Sequence, residues 1–399
     1  MSKIKLNSNS KHSIATRLGL LAVTMATVLL NSHYLGEEGL GSVALLQFGL
    51  LLVTGLAGFI AASAVVYVRR SHSPSEFKWF AYGWCLISAF VASSAGVGIG
   101  AIPEEWLYHS AILGLLQSIV VFHSQLLIAS GEIKRHNILQ LILTSLLLLL
   151  VSFEFMVQNN PTPEGFAKSL GAALILTTLI SSTMLKGSWN AKPTISSSRK
   201  DARKMLLKHG AGGQTGSILQ LLTNRSNLSL LENTMGSAGA GVYSIVYYGV
   251  EAVWTVARAI APMVNSEVAM ADSRKKRMAI TGGYLKLVMV FTLPLVVVAC
   301  LIPESVYAWV FGINGVAVPL RLLAPGMVAG AISSIVAHHL SGIGLHSWNA
   351  LTSALGLVVL ICLGLLVIPQ MGVCGAAIAA SCAYSVQAVS LIAVWLKKA

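Results

Sequence analysis

Tyr247, Glu251, Trp254 and Arg258 follow one another at steps of four, three and four. Seven residues turn an α-helix by about 700°, so Ser244, Tyr247, Glu251, Trp254, Arg258 and Asn265 fall on one stripe. A second stripe runs through Gln214, Ser217, Gln220, Asn224 and Asn227, with Arg225 beside it. Weaker versions are Arg17, Thr24, Thr27 and Asn31, and then Gln47 and Thr54. Guanidinium groups bind phosphate or carboxylate oxygens two at a time. Tyrosine and tryptophan offer a ring face and a polar tip, which suits sugars. Together these side chains could line a wet cavity that takes an anionic group and a glycan. The plainer alternative is that Glu251 and Arg258 pair with each other while the amides tie helices together. Arg225 is harder to account for that way, because the acid nearest to it along its helix, Glu232, lies towards the outer end.

These residues lie inside apolar segments. Of 399 residues, 55% are hydrophobic and 10% charged, against about 25% charged in soluble domains. Apolar runs of about 20 residues recur throughout, so helices must satisfy the backbone within a bilayer. The sequence predicts an all-α polytopic membrane protein with about twelve spans: 14–33, 41–68, 77–100, 107–130, 137–157, 166–185, 207–231, 240–266, 279–302, 317–340, 346–368 and 373–396. A charge at the centre of such a span costs about 3 kcal/mol even on lenient scales, so it needs a partner, a wet cavity or a ligand.

The connecting segments alternate in charge. Apart from Lys168, Arg225, Arg258, Lys286 and Arg321, all 27 Lys and Arg fall on one side. The opposite loops carry Glu37, Glu38, Glu104, Glu105, Glu164, Glu232 and Glu304. The positive-inside rule then places both termini in the cytoplasm. That distribution makes the net charge of +13 a topology signal rather than a nucleic-acid surface. Lys286 and Arg321, and Glu154 near the outer end of its span, are expected to snorkel.

The basic segment 186–206 separates an N-terminal lobe (1–185) from a C-terminal lobe (207–399), each with six spans, and is expected to lie near anionic headgroups. Gly36, Gly39, Gly41 and Gly49 reappear 200 residues later as Gly236, Gly239, Gly241 and Gly249. Ser130-Gly131 before Asn137 is echoed by Ser341-Gly342 before Asn349. An even number of spans per half makes the lobes parallel, related by an axis along the membrane normal.

Other chemistries find little support. The five cysteines have no metal-like or paired spacing and read as buried helix residues. His338-His339 lacks further ligands at zinc spacing. No phosphate loop and no hydrolase or metalloprotease motif occurs, so neither an ATP-driven pump nor an enzyme is expected. The first apolar run lacks an A-x-A site and reads as an uncleaved span.

The chain resembles the polysaccharide (O-antigen, or Wzx-type) flippases of the multidrug/oligosaccharidyl-lipid/polysaccharide (MOP) exporter superfamily. The likeness is carried by His209-Gly210, Leu221-Leu222-Thr223-Asn224-Arg225, Gly236 through Ser244, Glu251 with Trp254, and Pro262. Leu35 through Gly41, Leu323-Ala324-Pro325-Gly326, Ser341-Gly342-Ile343-Gly344 and Gly372 through Ala377 extend it. One departure is Asn227, where that family often has an acid. The resemblance implies two six-helix lobes of the MATE/MOP type that alternate between inward- and outward-open states in a bacterial inner membrane. It also implies undecaprenyl-diphosphate-linked oligosaccharide units of O-antigen, capsule or exopolysaccharide as cargo. No resident cofactor is implied; a proton or sodium gradient is the candidate energy source. Membrane lipids, a polysaccharide polymerase and chain-length machinery are the implied partners, with no nucleic acid. The expected cavity residues are Arg225, Arg258, Glu251, Asn224, Trp254, Tyr247, Gln214, Arg17, Asn31 and Gln47. A cation-coupled multidrug exporter of the same superfamily is the alternative.

Overall fold

The computed structural model describes residues 8–189 and 199–398, without the side chains of 8–15, 17–18, 63, 199–200 and 211–213. The regular structure among these residues is helical: α1 (Ser8–Ala61), α2 (Ser63–Val68), α3 (Pro74–Gly98), α4 (Leu107–Ala129), α5 (Ile133–Ser152), α6 (Pro163–Met184), α7 (Arg199–Met235), α8 (Ser237–Ala269), α9 (Arg274–Leu301), α10 (Glu304–Phe311), α11 (Ala317–Leu322), α12 (Ala324–Gly342) and α13 (His346–Lys398). Among the described residues, seven helical stretches are long and apolar enough to cross a membrane, so the chain is an all-α, multi-pass membrane protein. Two of the seven, Gly19–Val68 and His346–Lys398, run 50 and 53 residues, far beyond the roughly 20 that one crossing needs. Breaks at Gly36 and Gly372 divide them. α7 and α8, the expected seventh and eighth spans, have 37 and 33 residues but fall outside the seven. Length is not what they lack; their polar stripes dilute the apolar surface. The tenth expected span is split at Leu323 into α11 and α12, next to Pro325 at the start of α12.

The chain forms two compact units: Met1–Leu35 with Leu46–Gln214, and Gly36–Leu45 with Thr215–Ala399. In the first unit, Ala57, Ile60, Phe77, Cys85, Phe122 and Leu126 form a core that Leu185, Ala202 and Leu206 complete. The first turns of α7 therefore pack in this unit. His123 ties three of its helices together, with Nε2 2.7 Å from the Tyr82 hydroxyl of α3 and Nδ1 2.7 Å from Ser181 Oγ of α6. In the second unit α8, α9 and α13 pack around α12.

The repeated glycines carry a repeated backbone. Gly36 has φ 66° and ψ −166°, and Gly236 has φ 73° and ψ −175°, a region that essentially only glycine occupies. Five residues on, Gly41 and Gly241 meet within the second unit. A Cβ on Gly41 would drive into the Ser237 carbonyl, and one on Gly241 into the Glu37 carbonyl. Ser237 and Glu37 are themselves 200 residues apart, so the crossing is reciprocal. The second echo is real but shifted. Gly131 (φ 78°) ends α4, with its N–H bonded to Ile128 O and Glu132 N bonded to Leu127 O. Gly344 (φ 80°) repeats this after α12 with Ser341 and Leu340 as acceptors. Gly342, matched by sequence, is still inside α12.

Two smaller expectations change. Cys85 is buried, but Cys362 is exposed and Cys300, Cys374 and Cys382 are partly so; an outward helix face in lipid is as apolar as a core. Arg321 does more than snorkel: Nε and Nη2 donate to the carbonyls of Cys300 and Ile302, at 2.9 and 3.3 Å, and so cap α9.

Candidate functional site

The site lies in the second unit, where α7 and α8 present their stripes. The steps of three and four along each helix put these polar side chains on one face. Glu251 is at its centre. Its Oε2 lies 3.4 Å from Arg225 Nη2 of α7, and its Oε1 lies 3.4 Å from Arg258 Nη1, two turns further along α8. The side chains of Arg225, Glu251 and Arg258 are 15%, 30% and 46% exposed. One carboxylate between two guanidiniums leaves a net charge of +1. The expected pairing of Glu251 with Arg258 is therefore present, and Arg225 joins the same carboxylate.

Aromatic rings hold the cations from behind. The Arg225 guanidinium sits 4.1 Å from the Tyr247 ring centroid, and that of Arg258 sits 5.4 Å from the Trp254 ring. Trp254 is itself fixed: its Nε1–H donates to Met327 O at 2.8 Å, and it lies so close to α12 that a Cβ on Gly330 would strike the indole. Tyr247 and Trp254 meet edge to face with centroids 6.5 Å apart, and Tyr384 meets Trp254 at 5.2 Å. Tyr247 and Trp254 are 1% and 4% exposed. Both rings were expected to stack against a glycan; here they are buried and support the arginines.

The amides of α7 bond to one another and to the neighbouring helices. Asn224 Oδ1 accepts from Gln220 Nε2 at 3.0 Å. Gln220 Oε1 accepts from Ser353 Oγ at 3.2 Å and from Gln387 Nε2, joining α7 to both halves of α13. Asn227 Nδ2 donates to Tyr243 Oη at 2.8 Å and to Ala376 O at 2.9 Å. So Asn227, where an acid was the family expectation, fastens three helices together. Asn227→Leu removes both bonds and leaves the buried Tyr243 hydroxyl without its partner. It is expected to cost about 1–2 kcal/mol, read as a lower Tm in detergent, while cargo binding stays.

Other expected cavity residues lie in the first unit. Gln214 Nε2 donates to Gly55 O at 3.2 Å, which fixes the middle of α7 against α1. Asn31 is buried with Oδ1 unpartnered among the described residues, and Gln47 is partly buried. The Arg17 side chain lies outside the described residues. Sequence reasoning missed Gln387, Ser353, Tyr243 and Tyr384. Gln387 did carry a signal, as a glutamine midway along one of the most apolar segments.

Neither a family model nor a curated protein matches the chain. Solved structures do. The inward-facing conformation of a multidrug resistance MATE family transporter of the MOP superfamily aligns with TM-score 0.72 at 14% identity, over 95% of this chain and 94% of that one. The outward-facing conformation of such a transporter aligns with TM-score 0.67 at 16% identity, over 100% of both chains. A point mutant of the Vibrio cholerae MATE transporter VcmN aligns with TM-score 0.66 at 14% identity, over 98% and 97%. Identities this low speak for the fold alone, and over its whole length this chain has the fold of the MATE transporters of the MOP superfamily.

Proposed function

We propose that the chain is an exporter working by alternating access, and that Arg225 and Arg258 hold an anionic group of an amphiphilic cargo. The observation that carries this reading is the Arg225–Glu251–Arg258 cluster, with its surplus positive charge and its two ring-backed guanidiniums. The cargo that suits it is an undecaprenyl-diphosphate-linked oligosaccharide, with the diphosphate on the guanidiniums. The resemblance of the sequence to polysaccharide flippases points the same way, and with it a bacterial inner membrane and polymerase partners.

The second reading is a cation-coupled multidrug exporter, and the fold neighbours favour it: two of the three MATE structures aligned above are multidrug resistance transporters. On that reading an acid should be free for the cation. Glu251, the one carboxylate of the cluster, is shared by two arginines, and this charge balance is what favours the anionic cargo.

Complementation separates the two. In a cell lacking its own flippase, the wild-type chain should restore surface polysaccharide without changing drug susceptibility. Arg225→Ala and Arg258→Ala should insert normally yet restore less than about a tenth of it, since each removes a charge-assisted contact of about 1.5–3 kcal/mol. Raised drug resistance with no surface glycan would favour the multidrug exporter instead.

A further inference from the structure

We infer that Glu251 is an internal stand-in for the anionic group of the cargo: its carboxylate takes the guanidinium positions that an incoming oxyanion needs, so cargo and Glu251 compete for Arg225 and Arg258. The inference rests on the anionic-cargo reading above.

Three features make the carboxylate the exchangeable member of the cluster. First, it is shared rather than gripped. Each oxygen meets one arginine at 3.4 Å, longer than the 2.7–2.9 Å usual for a charge-assisted bond, and neither contact is bidentate. A guanidinium has five N–H donors, so each arginine has donors to spare for a second acceptor. Second, the cations are anchored and the anion is not. Arg225 rests on Tyr247 and Arg258 on Trp254, and Trp254 is fastened to Met327 O. The hydrogen bonds made by the Glu251 carboxylate among the described residues are those from the two guanidiniums. Third, Glu251 reaches its partners by a flexible side chain on the same stripe of α8 as Arg258, so it can turn aside without moving the helix.

The arrangement also sorts cargoes by charge. A group with two negative charges, such as a diphosphate, neutralises the two guanidiniums better than one carboxylate does. A monoanion gains little over Glu251, and a cation meets the surplus positive charge. Glu251 is thus a specificity-determining residue, raising the charge that a cargo must bring.

The full chain, purified in detergent, can be titrated with farnesyl diphosphate as the probe. Glu251→Gln keeps the shape but removes the competing charge, and should bind the probe about tenfold more tightly than the wild type, or about 1.4 kcal/mol. The probe should also raise the Tm of Glu251→Gln more than that of the wild type, because it replaces the missing anion. Glu251→Asp, whose shorter side chain draws the carboxylate back, should bind with intermediate affinity, and it decides the question if the glutamine variant does not fold. A wild type that binds the probe at least as tightly as every folded variant overturns the inference and leaves the anionic-cargo reading standing. If the wild type and both variants all fail to bind the probe, that reading falls, and the inference with it.

Discussion

Gly41→Ala and Gly241→Ala are each expected to lower the Tm sharply, and the double variant to cost little more than the worse of the two. A methyl group at either position points into the backbone of the facing helix, at the Ser237 carbonyl in one case and the Glu37 carbonyl in the other. Backbone cannot swing aside as a side chain can, so the helices must separate. Overpacking of this kind costs about 1–3 kcal/mol or more. Once one methyl has forced the separation, the second finds room, and neighbouring sites of this kind do not add. Gly83 is the control. A Cβ there meets nothing within 4 Å, so Gly83→Ala in the middle of α3 should be neutral or slightly stabilising. Thermal unfolding of the four variants in detergent measures all of this. Additive losses at Gly41 and Gly241 would mean that the two glycines do not share one crossing.

Glu251→Ala carries the second large effect. It leaves Arg225, whose side chain is 15% exposed, and its neighbour Arg258 with no counter-charge. Removing one partner of a buried pair costs about 3–5 kcal/mol, mostly because of the charge left behind. Part of that is lost here to screening, since the Arg258 side chain is 46% exposed. The diagnostic result is the rescue. Arg225→Gln combined with Glu251→Ala should recover much of the loss, because it removes the more deeply buried of the unpaired cations. An unrelated structural defect at position 251 would show no such coupling.

Sequence and structure agree unevenly along the chain. The stripe on α8 follows from steps of three and four alone, so Tyr247, Glu251, Trp254 and Arg258 were legible as one face, and the Glu251–Arg258 pair with them. The Arg225–Glu251 contact was not. It links residues 26 apart on two helices, and how each helix is rotated towards its neighbour is set by packing that no spacing encodes. The glycine repeat was legible because φ near +70° at Gly36 and Gly236 requires glycine. The echo at Gly342 slipped by two residues because the residue that ends the helix is the one with positive φ, Gly344.

Gln214 shows a different limit. It continues the stripe of α7, yet packs on Gly55 in the first unit. At 37 residues, α7 is about 55 Å long and contributes to both units, so one stripe serves two surroundings. The roles of Tyr247 and Trp254 turned for a related reason. Ring faces that could take a sugar also attract guanidiniums, and the sequence does not say which arrives first. Each arginine reaches its ring from nearby, Arg258 from one turn along α8 and Arg225 from the facing helix.

If the paired arginines serve an anionic, lipid-linked cargo, moving that cargo across a bilayer is the process they must support. The purified chain would be reconstituted in liposomes with a fluorescent undecaprenyl-diphosphate oligosaccharide, and its arrival in the opposite leaflet followed by quenching. The wild type is expected to translocate the lipid, and the Arg225→Ala, Arg258→Ala double variant, still folded and monodisperse, to fall to the protein-free rate. Translocation unchanged in that variant, or a wild type that moves cationic dyes but not this lipid, would contradict that role of the arginines.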